Sequence, residues 1–204
     1  SDRYRENTRA KQQKWPMVAL GELCESIKSG FAYGNTDRAD TGVPHLRPMN
    51  ITTSGNLSLD DLKYITMSKK NEFADFLLQK GDVLFNNTNS KELVGKTCLI
   101  DKDLGYFFSN HMTRIRTKPT LNPAYLAHIL HSLWRDGYFL NLCNKWVGQA
   151  AVNGKTLSTV LIPLPPLEIQ RQIVDEIEVC QRVINGARQV VEAWKPNLEV
   201  ELEE

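Results

Sequence analysis

The chain has 204 residues, 41% of them hydrophobic and 24% charged, with a formal net charge of +1. This is enough chain to bury a core as one or two globular domains, and the composition excludes a collagen-like or low-complexity polymer. No apolar run approaches the ~20 residues that cross a bilayer, and the polar, basic N-terminus has no signal-peptide pattern. The expectation is a cytoplasmic protein with no membrane segment.

Residues 1–14 are polar, lack periodicity and hold five basic residues, which reads as a linker or arm. The body begins at Trp15. Met17 to Leu20 reads as a short strand and Gly21 to Lys28 as a helical turn. Ser29 to Gly42 is a loop rich in Gly, Asn and Asp. Val43 to Ile51 alternates loosely as a strand, and Pro44 and Pro48 favour an edge position. Lys69 to Leu78 has helical spacing at Phe73, Phe76 and Leu77. Gly81-Asp82 turns into a strand at Val83-Leu84-Phe85. Gly95 to Ile100 and Tyr106 to Arg116 are further strands, with alternation at Met112, Arg114 and Arg116.

The pattern then changes to helix. Asn122 is an N-cap and Pro123 fits the first helical position. Tyr125, Leu126, Ile129, Leu130 and Leu133 follow at helical spacing. Gly137 interrupts, and a second helical piece runs to about Asn144. A loop from Lys145 to Gly154 precedes a helical turn near Leu157, and Ile162 to Pro166 is an exit strand whose prolines cannot be helical. From Leu167 to Lys195 one helix of about 43 Å is predicted. Its apolar positions Ile173, Ile177, Cys180, Ile184, Ala187, Val191 and Trp194 step by alternating fours and threes, a coiled-coil seam. A single helix so apolar on one face needs a partner helix. Pro196 stops it, leaving an acidic tail over residues 196–204.

Charge follows this division. Residues 1–166 hold 21 Lys and Arg against 15 Asp and Glu, whereas residues 167–204 hold 4 against 9. A basic body suits phosphate, and an acidic helical tail suits a protein partner. The four cysteines, Cys24, Cys98, Cys143 and Cys180, are widely spaced and argue against a disulfide framework or a zinc site. Asn122-Pro123-Ala124-Tyr125 looks like an amino-methylase loop, but a helix cap accounts for it better, and no glycine-rich cofactor loop accompanies it. His128 and His131 stand three apart on one helix without a third ligand. Side chains suited to DNA sit in loops and on strands. Asn87, Asn89 and Gln149 carry amides that pair two atoms of adenine. Lys91, Lys96 and Lys145 suit phosphate. Arg47, Arg114 and Arg116 could line a basic face, and Tyr33 and Asn35 lie in a long loop.

The phrases W-x-x-V-x-L-G-E-L (Trp15 to Leu23), G-V-P-H-L-R-P-M-N-I (Gly42 to Ile51), L-x-x-G-D-V-L (Leu78 to Leu84), V-G-K (Val94 to Lys96) and N-G-x-x-L followed by I-P-L-P-P-L-E-I-Q-R-Q-I (Asn153 to Ile173) resemble the DNA-specificity subunits of Type I restriction–modification enzymes. The resemblance implies an α/β (α+β) target recognition domain over residues 15–166, with a mixed sheet and flanking helices, followed by a coiled-coil helix over residues 167–195. It implies sequence-specific reading of one half of a split duplex-DNA target, no catalysis in this chain, and S-adenosylmethionine held by a partner or fused methyltransferase. The partners it implies are that methyltransferase subunit and, indirectly, the restriction subunit. The opening S-x-R-Y-R-E wording resembles the C-terminus of the methyltransferase subunits, as in a methylase–specificity fusion. The full subunits carry two recognition domains and two helices, and this chain has one of each. A homodimer through the helix would restore the symmetry. The rival readings are a standalone methylase or nuclease, and a coiled-coil adaptor that does not touch DNA.

Overall fold

The computed structural model describes residues 15–146 and 149–194. The strands are β1 (Met17–Ala19), β2 (Cys24–Ser29), β3 (Arg38–Ala39), β4 (Val43–Leu46), β5 (Lys63–Ile65), β6 (Val83–Asn86), β7 (Thr88–Asn89), β8 (Thr97–Leu99), β9 (Phe107–Phe108), β10 (Met112–Thr117), β11 (Asn144–Trp146), β12 (Gln149–Ala151) and β13 (Leu161–Pro163). The helices are α1 (Pro123–Arg135), α2 (Tyr138–Leu142), α3 (Gly154–Ser158) and α4 (Leu167–Ala193).

The central sheet has the order β2-β10-β6-β8, with every neighbour antiparallel. Both of its faces are covered, which explains why Val83-Leu84-Phe85 reads as a continuous apolar run rather than an alternating one. Val83, Phe85 and Ile115 face a core closed by Tyr125, Leu126 and Leu130 of α1, by Phe139, and by Leu157 and Ile162. Leu84, Cys98 and Met112 face a second core with Leu46, Ile51, Leu78, Ile100 and Phe108. A second sheet, β3-β5-β4-β9, carries Val43, Ile65 and Phe107 into a third cluster with Phe31. A third, β11-β12-β7, is a hairpin with one added strand.

Strands β1 and β13 pair antiparallel, with Val18 opposite Ile162. The start of the body is thereby tied to the entry of α4. The prolines at 165 and 166 end the strand, and the helix begins at once.

Several expected elements differ. The predicted helical turn over Gly21 to Lys28 is a 3₁₀ turn at Leu20–Leu23 followed by β2, because residues from Cys24 onward pair with β10. Strand β4 is internal, between β5 and β9. Pro44 is tolerated because the β9 ladder starts only at His45, opposite Phe107, so no donor is missed on that side. The predicted helix over Lys69 to Leu78 is two 3₁₀ turns, Met67–Lys69 and Ala74–Phe76. There Phe73 stacks on Phe31 at 4.0 Å and Phe76 meets it edge-on at 5.0 Å. The second helical piece stops at Leu142, and the predicted loop from Lys145 holds the β11–β12 hairpin instead.

Candidate nucleic-acid interface

Antiparallel pairing decides which loops meet. Strand β10 runs against both β2 and β6, so its start lies beside their ends. The loop after β2, the β7 segment after β6, and the Ser109–His111 turn before β10 therefore converge at one end of the central sheet. Strand β12 brings the hairpin to the same place, with Ala150 opposite Asn89 and Ala151 opposite Thr88. Gly30 belongs there because a Cβ would strike the backbone carbonyls of Phe108 and Ser109.

Of the residues singled out in the sequence, Tyr33, Asn35, Asn87, Asn89, Lys91, Lys145 and Gln149 lie in these converging segments. The side chains of Asn35, Lys145 and Gln149 are outside the described residues. The Tyr33 ring meets His45 edge-on at 4.7 Å. Asn89 is half-buried and its Oδ1 accepts from the Ser90 amide at 2.8 Å. Lys91 is exposed, with Glu92 at 3.8 Å.

Of the other expected DNA contacts, Asn87, Lys96 and Arg114 are corrected by burial, whereas Arg47 and Arg116 are half-buried and tied to carboxylates. Asn87 is only 5% exposed and its amide bonds inward, to Thr113 and Asn110 among others. Lys96 is 5% exposed and its ammonium donates to the Ile51 carbonyl; burial lowers its pKa. Arg114, 6% exposed, donates from Nη1 to the carbonyls of Asp75 (3.0 Å) and Leu77 (3.3 Å), and its guanidinium lies 5.8 Å over the Phe108 ring. Arg116 makes a two-pronged pair with Asp82, at 2.8 and 3.0 Å. Arg47 is in the second sheet's surroundings, where Nη2 donates to both the carbonyl and the carboxylate of Asp61 at 2.9 Å. Asn87, Lys96 and Arg114 bond inward and are not presented to a ligand.

The charge argument weakens accordingly. Residues 15–166 hold 16 Lys and Arg against 13 Asp and Glu, and two of those cations, Lys96 and Arg114, are buried. Among the described side chains, Lys91 is an exposed cation at this end, and the Lys145 backbone lies in the hairpin beside it. The residues the sequence did not flag here are Asn110 and His111, both exposed on the turn before β10. Only the pairing of β10 brings them to the other loops, so no local signal marks them.

The other chemical candidates are structural. Asn122 Oδ1 accepts from the amides of Ala124 (2.8 Å) and Tyr125 (3.2 Å), a helix cap and not a catalytic loop. Burial lowers the pKa of both His128 and His131. Among the described residues no group of three or more His, Cys, Asp and Glu could hold a metal ion. Cys24, Cys98 and Cys143 are buried, and burial pushes the thiols of the first two up to about 12.

The family profile of the Type I restriction modification DNA specificity domain matches residues 12–193. The chain belongs to this family. As a specificity domain it is not a catalytic domain. It is 28% identical over 184 residues to a candidate specificity subunit of the type I restriction enzyme MjaX from Methanocaldococcus jannaschii, covering 88% of this chain and 42% of that one. It is 26% identical to the EcoKI specificity subunit of Escherichia coli K12, covering 76% of this chain and 34% of the relative. Among solved structures, a chain of a type I restriction–modification assembly superposes with a TM-score of 0.66 at 23% identity, covering 86% of this chain and 40% of that one. The HsdS subunit of Thermoanaerobacter tengcongensis superposes with a TM-score of 0.61 at 22% identity, covering 86% and 39%. These two likenesses are of fold. The specificity domain described here thus spans less than half the length of each of these relatives, with a mixed α/β body and one long helix.

Proposed function

We propose that this specificity domain reads one half of a split duplex-DNA target through the loops gathered at the β2–β6–β10 end, and that α4 sets its distance from a second recognition unit. The observation that carries the reading is that convergence: four polar segments, distant in sequence, share one end of a rigid sheet in a chain of this family. Residues 15–166 act as the recognition body and residues 167–195 as the coiled-coil helix. The helix docks a methyltransferase subunit or domain, which holds S-adenosylmethionine, and a restriction subunit joins through it. A second copy of this chain, paired through α4, is the alternative source of the second unit. The working compartment is the cytoplasm.

The test is selection from a random-sequence duplex pool, followed by affinity measurements on the enriched duplex at several salt concentrations. Enrichment of one short motif is expected. Log affinity should fall linearly with log salt, at about −0.9 per phosphate contact. With few free cations at the interface the slope should be shallow, equivalent to a few contacts. A pool that stays random after selection overturns the reading.

A further inference from the structure

Resting on the DNA-reading function proposed above, we infer that Asn87 is a positioning residue for sequence specificity. It holds the recognition loops in one mutual register without itself touching DNA.

Asn87 sits where the loops cross. Its Nδ2 donates to Thr113 Oγ1 of β10 at 2.9 Å and to the Asn110 carbonyl at 3.1 Å, with Ser29 Oγ at the end of β2 at 3.4 Å. Its Oδ1 accepts from the Thr88 hydroxyl at 2.8 Å. Its backbone N–H donates to the His111 carbonyl at 3.1 Å, and its carbonyl accepts from the Val152 amide, just past β12, at 2.9 Å. One residue thereby bonds to the segment after β6, the turn before β10, the end of β2 and the hairpin. The Asn110 amide in turn donates to the Phe31 carbonyl at 3.2 Å, which extends the hold to the loop bearing Tyr33.

The chemistry explains the residue. The crossing needs two donated hydrogens and an acceptor on one short side chain, which an amide supplies and a carboxylate, a single hydroxyl or an alkyl group does not. A buried network of this kind selects one arrangement of its members. Base edges are discriminated by paired hydrogen bonds that fail when the reading group is displaced by a fraction of an ångström, whereas phosphate contacts by mobile cations tolerate such shifts. Loosening the crossing should cost discrimination before it costs affinity.

Thr113 makes this testable, because it is fully buried and has no route to DNA. The full chain is taken through selection on a random duplex pool. Affinities are then measured for the enriched duplex, for single-mismatch duplexes and for an unrelated duplex. In Asn87→Ala and in Thr113→Val the matched-to-mismatched ratio should fall by roughly tenfold, at several base positions at once. The affinity for unrelated duplex and the salt slope should stay as in the parent. Thr113→Ser, which restores the hydroxyl, should recover the ratio, and the double variant should be no worse than Asn87→Ala alone. Should Asn87→Ala fail to fold in a thermal melt, Thr113→Val carries the test, since it keeps the shape of the side chain. An unchanged ratio in a folded Thr113→Val, or an equal loss of affinity for every duplex, overturns the inference while leaving DNA reading intact. A parent chain that enriches no motif overturns DNA reading, and this inference with it.

Discussion

His45 is 2% exposed, and its Nε2 lies 3.3 Å from the Phe31 carbonyl. A carbonyl only accepts, so Nε2 carries the proton in this contact. Burial is the main cause that pushes its pKa down to about 4; the nearby Arg47 charge works in the same direction, against the Phe31 and Phe108 carbonyls. Between pH 6.5 and 4 the unfolded chain therefore binds a proton that the folded chain refuses. The contribution to stability is complete above about pH 6.5 and is lost as pH falls toward 4. Its size is on the order of 2 kcal/mol between pH 7 and pH 5. His128 and His131, lowered by burial, add slope of the same sign. Urea unfolding at pH 7 and pH 5 should show a smaller acid loss in His45→Gln than in the parent, and equal losses would contradict this account. Asp82 is another residue whose role is internal. Its carboxylate is buried, pairs with Arg116 and accepts from the Gln79 amide at 2.8 Å. Arg116 is 30% exposed, so water screens part of the pair. Asp82→Ala should destabilise by about 2–3 kcal/mol in the same urea assay, because a partly buried guanidinium loses its counter-charge. A change under 1 kcal/mol would mean that solvent satisfies Arg116.

At the scale of elements, the junction of α1 and α4 decides where the long helix points. Gln170, in the first turn of α4, is fully buried. Its Oε1 accepts from the backbone N–H of Asn122 at 2.7 Å, and its Nε2 donates to the carbonyls of Pro165 (2.8 Å) and Thr120 (3.1 Å). The same Asn122 caps α1, so one pair of side chains fastens two helix starts. Val174 and Ile173, one turn further on, pack on the body's core. Gln170→Ala removes the partners of three backbone groups, of which the Pro165 carbonyl is buried, and should cost about 2 kcal/mol, read from a shift in the unfolding midpoint at constant m-value. Gln170→Glu should be destabilising too, since it replaces two donated hydrogen bonds with repulsion between oxygens. If both variants melt with the parent, the junction is held by packing alone.

At the scale of the whole molecule, α4 leaves the body with its apolar seam uncovered. Ile173 is packed and Ile177 half-buried, but Ile184 is 52% exposed, Val191 74% and Trp194 70%. Burying one such side chain is worth about 1.5–3 kcal/mol, so a partner helix along this stripe would gain several kcal/mol. Ile184→Asp with Val191→Asp should abolish any self-association seen by sedimentation, with the body still folded in a thermal melt, since both positions are more than half exposed. A parent chain that sediments as a monomer at high concentration excludes the homodimer and leaves a different protein as the helix partner.

What the chain determines locally was legible in it. The Asn122 cap, the Pro123 start, the turn at Gly81-Asp82, the proline break after Ile162 and the continuous helix from Leu167 all depend on near neighbours, and each stands where the sequence predicts it. Two of these stretches, the Gly81-Asp82 turn and the proline break running into the Leu167 helix, also carry family wording. Contacts between distant segments decided the remainder. Cys24 to Ser29 is a strand because β10 is there to pair with it, and Phe76 sits on a 3₁₀ turn with Phe73 just before it because Phe31 takes both rings. The same holds at the interface. Asn87, Lys96 and Arg114 have the chemistry of DNA contacts, and a sequence lists that chemistry without its direction. Direction follows from register: in β10, Met112 and Arg114 point to one covered face while Thr113 and Ile115 point to the other. A polar group buried there must find its hydrogen bonds inside the protein, so the tertiary fold turned three expected DNA contacts into the struts that hold the loops.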